Sequence, residues 1–162
     1  MFKTETINDT HKNFINKTIA ANWAGPFVVS KGKLHDTRTN CGFVAIEDGI
    51  VVVGYILYYI ADNECEITVV ESLRERQGIG SALINAVIEA AKEAGCSRAW
   101  LITTNDNIHA IRFYQRFGFT LRAVHIGSMD VARKLKPQIP LTGNDGIPIA
   151  HEFEFEKIII NL

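Results

Sequence analysis

Apolar residues along this chain recur at two spacings, and the spacing predicts the elements. From His11 to Ala24, Phe14, Ile15, Ile19, Ala20 and Trp23 follow a helical stripe. Asn8, Asp9 and Thr10 precede it as N-cap types, and Gly25-Pro26 stops it. The pattern returns from Gly78 to Ala94, with Ile79, Leu83, Val87, Ala90 and Ala94 on one face and Gly95 at the end. A further helix runs from Asn107 to Phe117, after Asn105-Asp106 and before Gly118, and a short one covers 129–135. Strand patterns fill the intervals. Residues 2–7 alternate weakly. Gly42 to Ile46 and Ile50 to Ile60 flank Glu47-Asp48-Gly49, a hairpin whose Asp-Gly supplies positive φ. Glu64 to Glu71, Arg98 to Thr103, Phe119 to Ile126 and His151 to Ile160 complete the strands. Residues 27–40 fit neither pattern. Pro137, Pro140, Gly143, Gly146 and Pro148 mark a loop.

The order is a hairpin sheet followed by a strand-helix-strand-helix unit, without internal repeat or linker. It predicts a single domain over 1–162 of mixed α/β (α+β) class. At 47% hydrophobic and 22% charged residues, the composition excludes disorder. Lys and Arg number 17 against 18 Asp and Glu, a net charge of −1, which argues against a nucleic-acid partner. The longest uncharged apolar run, Ile50 to Ala61, is too short for a bilayer helix, so no membrane partner is expected. Met1 to Thr6 lacks the basic-then-apolar pattern of a signal peptide. Cys41, Cys65 and Cys96 are odd in number and form no CxxC. The five histidines show no paired metal spacing. A reduced, cytoplasmic protein without disulfides or a bound metal is therefore expected.

Two segments carry candidate chemistry. Arg76-Gln77-Gly78-Ile79-Gly80-Ser81 lies between a strand and a helix. Its glycines let backbone pass close to a ligand, and the unpaired N–H groups at the helix start favour a phosphate. It is not a Walker loop, which needs GxxxxGK followed by Ser or Thr. It is not a dinucleotide fingerprint either, because Leu83 stands where a third Gly or Ala is required and Arg98 near the expected acid. The second segment holds Asn107, Ala110, Tyr114 and Phe117-Gly118-Phe119. Its phenylalanines read as core, while Tyr114 needs a partner for its hydroxyl if buried.

Together these motifs, from Glu64 to Phe119, resemble the GCN5-related N-acetyltransferase (GNAT) superfamily. The resemblance implies a mixed, mostly antiparallel sheet with helices on both faces. It also implies transfer of an acetyl group from acetyl-CoA, as co-substrate, to a primary amine. The Val69-Val70 strand would splay at a bulge and pair with the pantetheine arm. Arg76 and the amides from Gln77 through Gly78, Ile79 and Gly80 to Ser81 would hold the pyrophosphate. Asn107 and Ala110 would contact the cofactor, and Tyr114 would sit by the thioester sulfur as the acid. The family's usual Gln or Arg three residues before the first glycine is replaced by Glu75, with Arg74 and Arg76 beside it to compensate. The alternatives are a CoA sensor without turnover and an enzyme that acetylates a protein or peptide amine. A homodimer is compatible with the resemblance.

For the base, Glu64 and Glu66 share one strand face, and Cys65 points to the other as a packing residue. The histidines read as surface or hydrogen-bonding residues, although His125 on the strand after Phe119 could line a substrate groove. In His151-Glu152-Phe153-Glu154-Phe155-Glu156 the acids read as a solvated face. The small-molecule amine is expected at the long irregular segments, 31–40 with Asp36 and 137–148 with Asp145.

Overall fold

The computed structural model describes residues 1–160. Its elements are β1 (Phe2–Thr6), α1 (Asp9–Trp23), β2 (Phe27–Ser30), β3 (Lys33–Asp36), β4 (Cys41–Glu47), β5 (Val51–Ala61) and β6 (Glu64–Ser72). There follow α2 (Ile79–Glu93), β7 (Arg98–Thr104), α3 (Ile108–Phe117), β8 (Thr120–His125), α4 (Ser128–Leu135) and β9 (Glu152–Ile158). Seven strands form one sheet in the order β1-β4-β5-β6-β7-β9-β8, and β2 pairs with β3 separately. The pairs β1–β4, β4–β5, β5–β6 and β8–β9 are antiparallel, so the expected mixed, mostly antiparallel sheet is present. The chain divides into two compact units.

The first unit comprises Met1–Pro26, Asp36–Ala99 and the chain from Ile158. Asn8 caps α1: its side chain accepts from the His11 N–H at 2.9 Å, and its own N–H donates to the His11 ring at 3.3 Å. The register of β5 against β6 slips between Leu57 and Tyr58, where Leu57 opposes Val69 but Tyr58 opposes Ile67. Thr68 is therefore the extra residue of a bulge. Asn40 Nδ2 donates to its hydroxyl at 2.6 Å. One extra residue reverses the alternation, so Glu64 and Glu66 share a face with Val69 and Glu71 rather than with Val70. That face meets α1, whose Asn22 reaches Glu71. The opposite face meets α2. A Cβ on Gly54 would lie 2.6 Å from Ile79 Cγ2 and 2.9 Å from the Glu71 carbonyl, which is why β5 carries glycine there. Ile15, Ile19, Val44, Tyr55, Ile56, Leu83, Ile84 and Val87 fill this core.

The second unit comprises Phe27–His35 and Trp100–Lys157. Tyr114 packs edge-on to Phe119, with centroids 5.8 Å apart, and against Phe155 at 6.3 Å. A smaller core joins Met129, Ala132 and Ile149 to Val29 and Ile139. The unassigned stretch 27–40 holds the β2–β3 hairpin and a 3-10 turn over Thr37–Thr39. One expectation is overturned. Glu152 and Glu154 are not a solvated face but 1% and 4% exposed. The reason is topological: β9 lies between β7 and β8 rather than at the sheet edge, and the β2–β3 turn covers these carboxylates.

Candidate active site

In the first unit, β6 leads through an exposed turn into α2. Arg76 has φ 60° and Gly78 φ 73°, so the chain turns twice into the left-handed region before the helix begins. Gly78 is the N-cap and offers no side-chain cap. The Ala82 N–H donates to the Gly78 carbonyl at 3.0 Å. The amides of Ile79, Gly80 and Ser81 precede that bond, and nothing among the described residues caps them. A two-glycine turn, bare amides and the positive end of a 15-residue helix coincide. Val69 is buried and Val70 half-buried, immediately after the Thr68 bulge. Of the two arginines expected to compensate for Glu75, Arg74 is held by Glu47, and its carbonyl accepts from Ser72 Oγ at 2.6 Å. Arg76 is exposed.

The carboxylates of β6 have different surroundings. Glu64 pairs with Arg98 Nη2 at 3.0 Å. Glu66 is buried. Sequence reading missed Glu71: Tyr55, opposite it in register, donates to its Oε2 at 2.5 Å, and Asn22 Nδ2 donates to Oε1 at 3.1 Å. Strict alternation along β6 would separate Glu71 from Glu66, whereas the bulge at Thr68 puts them on one face. Burial, reinforced by the Glu71 carboxylate, drives the Tyr55 phenol far above its usual range. The Cys65 thiol is pushed up to about 12 by burial, so it is inert packing as expected.

In the second unit, Asn107 is the N-cap of α3. Its Oδ1 accepts from the Ala110 N–H at 3.1 Å, which explains the Asn–Ala spacing locally and leaves its amide NH₂ to donate elsewhere. Asn105 and Asp106, the expected cap, lie just before the observed cap Asn107 and do another job. Asn105 Oδ1 accepts from the N–H groups of Ala150 and His151, and Asp106 Oδ2 from the backbone and side chain of Asn144. These bonds tie down the 137–148 loop, where a Cβ on Gly143 would overlap the Asp106 carboxylate. Asp145 stands exposed at φ 56° in the resulting bend. Asp36, in the first unit, is engaged by Arg38 at 2.7 and 2.9 Å, a pair that holds its carboxyl below the usual range. Asp36 is thus already engaged, whereas Asp145 is open to solvent. Tyr114 is buried, no hydrogen bond to its hydroxyl occurs among the described residues, and burial raises its phenol above the usual range.

The profile of the Acetyltransferase (GNAT) family matches residues 13–119, well over half of the chain. This chain belongs to that family. The uncharacterized protein YdhI of Bacillus subtilis strain 168 is 38% identical over 94% of this chain and 95% of its own. A Bacillus subtilis acetyltransferase solved in complex with CoA superimposes with a TM-score of 0.74 at 17% identity, over 99% of this chain and 100% of that one. The spermine/spermidine N(1)-acetyltransferase of Bacillus subtilis strain 168 is 46% identical over 44 residues, 26% of this chain and 29% of its own. The GNAT fold is thus shared throughout, while likeness to a relative of named acceptor is local. Among the described residues no cluster of three or more His, Cys, Asp or Glu is placed to hold a metal, and no helix is long and apolar enough to cross a membrane.

Proposed function

We propose that this GNAT protein transfers the acetyl group of acetyl-CoA to a primary amine of a small molecule. The observation that carries the reading is the uncapped start of α2 behind the Arg76–Gly78 turn. The amides from Gln77 to Ser81 bind the cofactor's pyrophosphate, and Arg76 adds charge in place of the residue lost at Glu75. Backbone beside Val69 and Val70 pairs with the pantetheine arm. The Asn107 amide and the α3 start at Ala110 contact the cofactor. The CoA complex of the structurally similar Bacillus subtilis acetyltransferase supports the choice of cofactor.

In the reaction the neutral amine attacks the thioester carbonyl, the C–N bond forms, and the C–S bond breaks. The amine's extra proton leaves to a base, and the departing thiolate takes a proton. Glu64, paired with Arg98, and the buried Glu66 are the two candidate bases on one face of β6. Tyr114 supplies a phenol at the sulfur, with its hydroxyl uncommitted to other residues.

The test is a panel of primary amines incubated with acetyl-CoA, with free thiol and acetylated product measured together. Stoichiometric thiol and N-acetyl product are expected for at least one amine. Acetyl-CoA binding with no amine-dependent thiol release would favour the CoA sensor.

A further inference from the structure

The β9 carboxylates that the alternation pattern assigned to solvent face inward in the second unit, and one of them is incomplete. Glu152 and Glu154 lie two residues apart and so share a strand face with His125 of β8, which opposes Glu152. Glu154 Oε1 is 3.0 Å from Lys31 Nζ and 3.1 Å from His125 Nε2. Glu152 Oε2 accepts a 3.4 Å bond from the Lys31 backbone N–H. Glu152 Oε1 is fully buried with no partner, and so is the hydroxyl of Ser30, next to Lys31. The Lys31 ammonium also stands 4.7 Å from the centre of the Trp100 ring.

A buried carboxylate oxygen without a donor is costly, and folded proteins rarely leave one so without reason. Two carboxylates and an aromatic face are the groups that recognise an alkylammonium. Lys31 already shows the fit. Its side chain is a butylammonium, and its head is seated on Glu154 and Trp100. It comes from the Lys31-Gly32 turn between β2 and β3, with 37% of the side chain exposed. Its φ of 49° shows a non-glycine residue held in the left-handed region.

We propose that Glu152, Glu154 and Trp100 form an ammonium site for a linear di- or polyamine, with Lys31 as its internal occupant. The ligand's ammonium displaces the Lys31 head from Glu154 and Trp100 and donates to Glu152 Oε1 and Ser30 Oγ. The Lys31 side chain moves into solvent. As a statement about the acceptor, this rests on the amine acetyltransferase reading. As a statement about binding, it stands without it.

The experiment is calorimetric titration of the full chain with spermidine, with n-butylamine and Nα-acetyl-lysine amide as comparisons and acetyl-CoA titrated separately. Spermidine should bind more tightly than either comparison. Lys31→Ala should tighten spermidine several-fold by removing the competitor. Glu152→Gln and Glu154→Gln should each weaken it at least tenfold, with acetyl-CoA binding unchanged in all three. The opposed signs separate a site from a fold contact, because simple destabilisation weakens binding in every variant. Weaker binding in Lys31→Ala, or tighter binding of the lysine amide than of spermidine, overturns the proposal. The Lys31 variant keeps the test decisive if the carboxylate variants fold poorly. Loss of acetyl transfer with the binding pattern intact would count against the transferase reading alone. Acetyl transfer to other amines without spermidine binding would count against this site alone.

Discussion

Tyr114 is where residue chemistry limits the mechanism. A thiol ionises near pH 8.5. A phenol that burial has raised above 10 is a weaker acid than the thiolate's conjugate, so full proton transfer to sulfur runs uphill. In the proposed reaction Tyr114 would therefore donate a hydrogen bond as charge develops on sulfur, with the thiolate neutralised by the proton lost from the amine. Tyr114→Phe is expected to lower kcat by about 10- to 100-fold with little change in acetyl-CoA affinity. The remaining rate should keep the wild-type pH profile on its alkaline side, and a lost alkaline limb would restore Tyr114 as the acid. The two β6 glutamates differ in the same local way. Glu64→Gln removes a carboxylate already paired with Arg98, whereas Glu66→Gln alters a buried one. Pre-steady-state rates across pH should show the acidic limb displaced in one variant only, the one whose carboxylate is the base. An unmoved limb in both would assign deprotonation to other residues or bulk water.

At the scale of elements, the turn from β6 into α2 separates packing from binding. Gly54 admits α2 against β5, while Gly80 lies in the first turn of that helix. Gly80→Val places a branched side chain beside the bare amides without requiring positive φ, so the fold is kept. For wild type, acetyl-CoA at about 100 times its Kd should add about 2.7 kcal/mol, which raises Tm by roughly 5–10 °C in a chain of this size. The Gly80→Val protein should melt cooperatively yet show almost none of that rise. A full rise in the variant would place the pyrophosphate elsewhere. Elements were also the scale most legible in the sequence. The periodicity from Gly78 to Ala94 gave α2 to within a residue at each end, and the Asp-Gly turn gave the β4–β5 hairpin. Parity was not legible. The bulge at Thr68 depends on pairing with a strand far along the chain, and it decides which β6 side chains share a face. The burial of Glu152 and Glu154 was hidden for a similar reason, since alternation reports two faces but not which neighbours cover them. The glycine turn and the Asn107–Tyr114 helix were visible because each motif lies in nearly contiguous residues. Tyr55, Glu71 and Lys31 were not, because each acquires its role from a partner distant in sequence.

At the scale of the whole molecule, the buried phenols make the protein its own optical probe. Tyr55 and Tyr114 both have ionisation raised by burial, and an unfolded tyrosine ionises near pH 10. Their contribution to stability is complete below that pH. It is lost as pH climbs toward the folded values, at about 1.4 kcal/mol per phenol for each pH unit. The native chain cannot release these protons gradually, so the phenolate absorbance of the two rings should stay absent above pH 10 and then appear in one abrupt step. Circular dichroism should lose its helical signal at the same pH. Because the step is set by unfolding, bound acetyl-CoA should shift it to higher pH, although the cofactor leaves the intrinsic acidity of Tyr55 unchanged. A gradual rise centred near pH 10 for all the tyrosines, with helix intact, would mean that these rings are in contact with water. An alkaline titration thus reads out the dryness of the core by colour.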